Sequence, residues 1–405
     1  MTDGSQPAEG DARTPGVGRR IPVIVAGVVS LVIFLAAVAG WGTLHYFDHH
    51  VSHVALRFPA GYTRPPAPVR GEHNLLLIGS DSRAGTSGAF GDVAGQRSDT
   101  TILAHIAADG TTTVVSFPRD LWVLIPAYTD TAGHAQPAAH AKLNAAFSLG
   151  GPSLLVRTIE GLTRVRVDHY VQIDFIGFQK MTDALGGVTV CVKPLSASLT
   201  AQGFNNLADR YSGWQGVVGR NTLTGQRALS FVRQRYGLPQ GDINRIQRQQ
   251  QFLSAVFHKV TAASTLVNPI KVVSVMNAAT SSLTVDNGTS LEDLRTLATG
   301  LQGGGIRFTT VPTSLATRGA QSVLLYDPTT LTPFLRGIFG PAAGAPPSAA
   351  GRATLTEHGG GTSAALTTTG SATTAYTTTG FTTTAYTSRT VAASAPAGSA
   401  SSCTY

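Results

Sequence analysis

The chain has 405 residues, a net charge of +8 and only 13% charged residues, with Arg far outnumbering Lys. That length leaves room for two or three ordinary domains, yet both ends lack the apolar periodicity that a packed core needs. The positive balance is diffuse; in a chain with the export pattern described next, it points away from nucleic acid and toward anionic cell-surface polymers and lipid headgroups.

Residues 1–20 are Gly, Pro, Ala and polar in composition and read as a disordered tail. Arg19-Arg20 then precede an apolar run, Ile21 to Trp41, about the 20 residues a helix needs to cross a bilayer. Arg13, Arg19 and Arg20 lie before the run, so the tail is expected in the cytoplasm and the body outside. A cleavable signal peptide competes, because Ala37-Val38-Ala39 has the small-x-small form. The run exceeds the usual signal core of about 7–15 residues, which favours a retained anchor. Either way the body is exported. Residues 42–71 read as a juxtamembrane stalk ending in the stiff Pro65-Pro66-Ala67-Pro68. Histidines 45, 49, 50 and 53 lack acidic or cysteine companions there and read as solvated groups.

The folded body is expected over 72–340. Asn74 to Gly79 predicts a buried strand, and Thr100 to Ala107 with Thr112 to Phe117 flank Asp109-Gly110 as a hairpin. Leu121 to Ile125 adds a strand. Gly150-Gly151-Pro152 opens a helix running to about Gly161. His169 to Ile173 reads as a strand, Phe175 to Leu185 as a helix, and Val188 to Val192 as a strand. Gly225 to Tyr236 starts helical and passes into a strand-like run that would turn Arg233 and Arg235 to one face. Asp242 is placed as the N-cap of a helix to about Val260. A helix near Leu291 to Leu301 and a strand from Ile306 to Val311 follow. Interspersed strands and helices mean a layered α/β or α+β domain. Residues 341–405, with repeated Thr-Thr-Thr-Gly, read as a disordered Thr/Ala/Ser/Gly tail. Of the two cysteines, Cys191 and Cys403, pairing is available in an exported chain, while Cys191 reads equally well as a small core residue.

Several segments end in acid or arginine where strands should stop: Gly79-Ser80-Asp81-Ser82-Arg83, Arg97-Ser98-Asp99-Thr100, Phe117-Pro118-Arg119-Asp120 and Val232-Arg233-Gln234-Arg235. Asp242, Arg245 and Gln249 follow near a helix N-terminus. Singly, each has a bland reading as a turn cap or surface ion pair. Together, several arginines and few lysines fit one bidentate phosphate or diphosphate site. Nucleotide-loop, serine-hydrolase, zincin and Cys-x-x-Cys motifs are absent from the sequence.

With Lys142-Leu143-Asn144-Ala145-Ala146, Asp168 to Phe175, Gly186-Gly187-Val188 and Asp242 to Gln250 in the same order, this set resembles the LytR-CpsA-Psr family over about Glu72 to Gly340. The resemblance implies a layered α-β-α domain with a central mixed sheet after one N-terminal transmembrane helix. It also implies an extracytoplasmic phosphotransferase that moves a glycopolymer from a polyprenyl-diphosphate-linked donor onto a peptidoglycan hydroxyl through a phosphodiester. By analogy Arg97, Arg119, Arg233, Arg235, Arg245 and Gln249 would grip the diphosphate. Asp81 and Asp99 would hold Mg²⁺, one of them being an alternative proton acceptor, and Arg119 would also serve catalysis. An apolar pocket for the polyprenyl chain is expected between sheet and helices, with Phe147 to Ile159 and Phe252 to Val256 as its candidate lining. A diphosphate hydrolase and a non-enzymatic membrane-anchored receptor remain alternatives. Nucleic acid is not an expected partner, since no DNA-reading motif is present.

Overall fold

The computed structural model describes residues 51–81, 98–130, 132–290, 305–344 and 403–405, with 42 and 293 as single positions. The apolar run at 21–41 lies outside them, as does the helix expected near 291–301 except for residue 293. Among the described residues no helix is long and apolar enough to cross a membrane. Residues 52–405 form one unit and 1–51 another.

In chain order the unit contains β1 (Ser52–Val54), β2 (His73–Ser80), β3 (Ser98–Ile106), β4 (Thr112–Phe117), β5 (Trp122–Ile125), β6 (Tyr128–Thr129), β7 (Ala135–Gln136) and β8 (Ala139–Lys142). Next come α1 (Leu143–Thr163), β9 (His169–Ile173), α2 (Phe175–Ala184), β10 (Val188–Val192), α3 (Ala197–Ala201), β11 (Ala208–Asp209), β12 (Trp214–Gln215) and β13 (Gly219–Leu223). The remainder is α4 (Gly225–Arg233), α5 (Asp242–Thr261), α6 (Ala263–Leu266), α7 (Pro269–Thr280), β14 (Leu283–Asp286), β15 (Ile306–Thr310), β16 (Ser314–Arg318), β17 (Gln321–Leu325) and α8 (Pro328–Phe339).

The central sheet runs β1-β14-β9-β2-β3-β4-β15. It is mixed: β9 pairs with β2, and β15 with β4, in parallel, whereas β2, β3 and β4 form an antiparallel meander. The β3–β4 turn closes as its sequence demands. Gly110 takes φ 82°, and Asp109 Oδ1 accepts from Thr111 N at 2.8 Å.

Strand alternation splits the apolar residues between two faces. Leu76, Leu103, Val115 and Tyr170 join Leu154, Leu155 and Ile159 of α1 and Leu331 and Leu335 of α8 in one buried cluster. Each such fully buried side chain contributes about 1.5–3 kcal/mol. A second cluster joins Phe175, Val188, Val190, Trp214, Leu229, Phe231 and Phe252 among α2, α4, α5 and the antiparallel β10–β13 pair.

Four sequence expectations change. The body starts earlier than residue 72, because β1 joins the sheet and Val54, Leu56 and Phe58 pack on the first cluster. Arg64 then pairs with the fully buried Glu160, which also accepts from Tyr62 Oη at 2.9 Å. The helix expected from Gly150 begins at Leu143 and kinks at Gly150–Gly151, where Gly151 takes φ 64° ahead of Pro152. Residues 228–233 are helical, not extended, because Ala228, Leu229 and Val232 recur at helical spacing and are all buried. Gly241, at φ 51°, takes the N-cap position and leaves Asp242 in the first turn of α5. At the far end Cys191 and Cys403 form a disulfide, and Thr404 bridges Val192, so residues 403–405 lie on the domain.

Candidate active site

The C-terminal ends of β2 and β9, the turn after β4, the end of α4 and the start of α5 converge. Asp99 sits where the β2–β3 register slips: Gly79 faces Thr100 and Ser80 faces Ser98, leaving Asp99 as the extra residue. A bulge of this kind re-aims a side chain out of the ladder. Arg119 follows β4 in a turn held by Leu121 N donating to Pro118 O at 3.0 Å. Arg245 and Gln249, one helical turn apart on α5, face the same place.

The charges form one network. Arg119 donates to Asp99 Oδ1 at 2.7 Å and lies 3.7 Å from Asp120 and 3.9 Å from Asp242. Arg245 lies 2.9 Å from Asp242 Oδ1 and donates to the Asp99 carbonyl at 3.3 Å. Burial acts to lower the Arg119 pKa, but Asp99, Asp242 and Asp120 outweigh it and hold the value above the usual arginine range. At Arg245 burial dominates and the pKa falls, with Asp242 opposing. Arg119 Nε, Arg245 Nε and both Asp242 oxygens are buried without a hydrogen bond among the described residues. Guanidinium donors left in that condition suit an incoming oxyanion.

Arg233 and Arg235 do line the same cavity, though not from a strand. Arg233 ends α4, Gln234 is extended (φ −58°, ψ 126°), and the alternation across that single residue turns both arginines outward while Gln234 is fully buried. The Arg233 guanidinium lies 4.8 Å from the Phe175 ring centroid. Gln249 Nε2 donates to Val232 O at 3.3 Å. Asp81 follows Ser80 at the end of β2 and is not among the residues lining the cavity. Arg97 lies outside the described residues.

Beneath the charged rim lies a cavity of about 380 Å³. Its walls come from the sheet through Leu77, Ile102 and Val171, and from the helices through Phe178, Met181 and Phe252. The expected Phe252 to Val256 stretch contributes Phe252, Leu253 and Val256 to it. In the other expected stretch, Phe147, Leu154, Leu155, Val156 and Ile159 belong instead to the closed cluster on the opposite face. The sequence profile of the LytR_cpsA_psr family matches residues 53–333, more than half of the chain.

The chain belongs to that family. It is 32% identical over 309 residues to the cell wall biosynthesis protein LcpA of Corynebacterium glutamicum, which covers 68% of this chain. It spans 57% of LcpA's own length. The polyisoprenyl-teichoic acid–peptidoglycan teichoic acid transferase TagU of Enterococcus faecalis is 32% identical over 260 residues, covering 62% of this chain and 75% of TagU. Among solved structures, the LytR-Csp2A-Psr enzyme from Actinomyces oris shares the fold, with a TM-score of 0.53 at 20% identity, over 72% of this chain and 97% of that one.

In this LytR_cpsA_psr member the sequence grouped Asp242 with Arg245 and Gln249 without showing its role, and it did not single out Tyr211 or Tyr236. Asp242 is not a cap but the acid that lies between Arg119 and Arg245, and its place two residues before Asn244-Arg245 carried no distinguishing signal. Tyr211 and Tyr236 stand in the cavity wall. Tyr236 directly follows Arg235 and could have been noticed; Tyr211 comes from a loop whose approach depends on the fold.

Proposed function

We propose that this protein transfers a glycopolymer from a polyprenyl-diphosphate-linked donor to peptidoglycan, forming a phosphodiester. The observation that carries this reading is the placement of Arg119, Arg233, Arg235, Arg245 and Gln249 at the rim of an apolar cavity. Such a site matches a ligand with a diphosphate at one end and a hydrocarbon chain at the other. The names of LcpA and TagU support the same direction.

In this reading the diphosphate oxygens take the guanidinium of Arg119 in exchange for Asp99, and Arg245 and Arg235 share the remaining charge. Phosphoryl transfer is mainly a matter of positioning and charge neutralisation, which this set supplies. A peptidoglycan sugar hydroxyl attacks the glycan-side phosphorus, the bond from that phosphorus to the bridging oxygen breaks, and polyprenyl phosphate departs with that oxygen. One of Asp81 and Asp99 would take the hydroxyl proton, as the alternative to its place as a Mg²⁺ ligand.

Mg²⁺ belongs to this reading, with Asp81 and Asp99 as the residues that would hold it. Asp81 and Asp99 follow Ser80 and Ser98, which face each other across β2 and β3. Among the described residues no group of three or more His, Cys, Asp or Glu side chains could cage an ion. Two carboxylates completed by substrate phosphates is the usual habit of Mg²⁺. When bound, it would offset phosphate charge beside Arg119.

The reading also places the body outside the cytoplasm behind a single-pass anchor at 21–41. The Cys191–Cys403 disulfide supports that side of the membrane. The test uses the full chain in detergent with a polyprenyl-diphosphate glycan, peptidoglycan oligomers and Mg²⁺, read by mass spectrometry. A phosphodiester-linked product, lost in Arg233→Ala, is expected. Free glycan phosphate alone would favour a hydrolase, and tight donor binding without turnover would favour a receptor.

A further inference from the structure

The rim of the cavity carries a feature that the diphosphate chemistry does not use. Tyr211 and Tyr236 are 60% and 56% exposed, yet their ring centroids stand 4.5 Å apart at an interplanar angle of 42°. Single exposed aromatics are ordinary on a protein surface. Two large rings gathered at the lip of an anion-binding cavity are not. Arg210 covers Tyr211, its guanidinium 4.8 Å from the ring centroid and donating to Tyr211 Oη at 2.7 Å.

Both rings hang from one rigid node. Gln234, fully buried, donates from Nε2 to Asn205 O and to Tyr236 O, each at 3.0 Å. Asn205 N donates to Gly237 O at 2.8 Å. Gly237 takes φ 75°, and a Cβ there would meet Asn205 O at 2.4 Å, so only glycine lets Tyr236 approach that loop. On the loop itself, Asp209 Oδ1 accepts from Tyr211 N at 3.0 Å. Asp209 lines the same cavity and is buried, and its Oδ2 has no hydrogen-bond partner among the described residues. The rings are therefore held in place, with an unsatisfied acceptor beside them.

Their place along the cavity follows from the run of α4. Its first residue, Gly225, donates to Asp183 at the C-terminal end of α2, while its last, Arg233, stacks on Phe175 at the N-terminal end. Tyr236 lies just past Arg233 and Arg235, at the charged end and away from Met181 and Leu185 of the apolar end. A hydrocarbon chain occupies the opposite end of such a site. The group bonded directly to a diphosphate held by Arg233 and Arg235 is a sugar.

We propose that Tyr211 and Tyr236 form a stacking platform for the pyranose ring attached to the donor's diphosphate, with Asp209 beside it as acceptor for a sugar hydroxyl. The inference rests on the diphosphate-lipid reading given above. The C–H bonds on a pyranose face are weakly positive and meet the negative face of an aromatic ring, the same electrostatics that attract cations to it. The node at Gln234 and Asn205 sets the rings in advance, so little ordering is needed on binding.

The test is titration calorimetry on the full chain in detergent with two probes, geranylgeranyl diphosphate and the same lipid carrying N-acetylglucosamine on the diphosphate. Both tyrosines are exposed, so replacing them spares the fold, which thermal melting checks. The Tyr211→Ala/Tyr236→Ala double variant is expected to lose less affinity for the sugar-free lipid than for the glycosylated one. For the glycosylated lipid it should lose about tenfold in affinity, equivalent to about 1.4 kcal/mol. A Tyr211→Phe/Tyr236→Phe variant keeps the ring faces and should retain that affinity. Equal weakening toward both lipids would overturn the platform and assign the rings to the hydrocarbon chain. No weakening toward either would overturn it as well. If the unaltered protein bound neither lipid, the diphosphate clamp would fall and the platform with it, an outcome distinct from the other two.

Discussion

On one face of the central sheet, Leu76, Leu103, Val115 and Tyr170 pack directly against α1 and α8. On the other, Leu77, Ile102 and Val171 look across a cavity of about 380 Å³ toward α2, α4 and α5. The residue types are nearly the same on both sides. What differs is how the facing helices use their apolar side chains. Helix α1 turns Leu154, Leu155 and Ile159 onto the sheet. Helices α2, α4 and α5 turn Phe175, Phe231 and Phe252 largely toward one another and toward Trp214. They satisfy much of their own burial as a group and face Leu77, Ile102 and Val171 across the cavity, and arginines stand where the gap opens. A binding cavity here is made by helices that form their own core.

The sharpest way to break this contrast is to remove one arginine from each side. Arg119→Ala should lower the proposed transfer by about 10³-fold or more, the scale on which arginines act in phosphoryl transfer. Arg157→Ala, on α1 of the closed face, should leave the rate near that of the unaltered protein, as measured by formation of the phosphodiester-linked product. Similar losses from both would mean that charge placement does not separate the faces. Packing gives the next effect. Leu155→Ala should cost about 2–5 kcal/mol in urea unfolding. Met181→Ala, in a wall that is already open, should cost about 1 kcal/mol or less. Comparable costs would show the open face to be as tightly packed as the closed one.

The third test concerns how the open side is held together. The disulfide joins β10 of the second cluster to residue 403 across a sequence separation of 212. Reduction, or Cys403→Ser, should lower unfolding stability by about 2–4 kcal/mol. No change would mean that the docked 403–405 segment contributes nothing to that side.

The smallest effect is expected on the closed face. His105 is buried beside Asn74 and Phe339, and burial pulls its pKa below 6.5, against the opposing pull of Glu72, Asp109 and Asp168. The unfolded chain therefore binds this proton more readily than the folded one. The contribution of His105 to stability is complete above pH 6.5 and is lost as pH falls through the lower folded value. Urea unfolding followed between about pH 7 and pH 5 should show that limb, and His105→Gln should flatten it. An unchanged slope in the variant would remove His105 as its source.

Much of the sheet could be read directly. Asn74 to Gly79, the Asp109-Gly110 hairpin and His169 to Ile173 carry period-two or turn signals whose causes are local. The segment from Ala228 to Tyr236 could not be read that way. Its buried residues fit a helix up to Arg233 and alternate only afterwards, so two arginines placed together by the fold looked like neighbours on a strand. Strand β1 and the Arg64–Glu160 pair were equally hidden, because a stalk that pairs with a distant strand carries no signal in its own composition. In the site, Arg119, Arg245 and Gln249 were legible as parts of short charged segments. Asp242 as their link, and Tyr211 as the partner of Tyr236, were not.

The amino-acid sequence by itself determined the layered α/β class, the main strands and turns, and the store of arginines suited to phosphate, because these follow from residue chemistry and short-range periodicity. Tertiary structure alone decided which face of the sheet would close and which would stay open. It also brought Asp99, Asp242 and the arginines into one network, and paired Cys191 with Cys403. Those outcomes depend on contacts between segments more than a hundred residues apart, as in Arg245 donating to the carbonyl of Asp99. The energy of such a contact exists only once the chain has brought both partners out of water together.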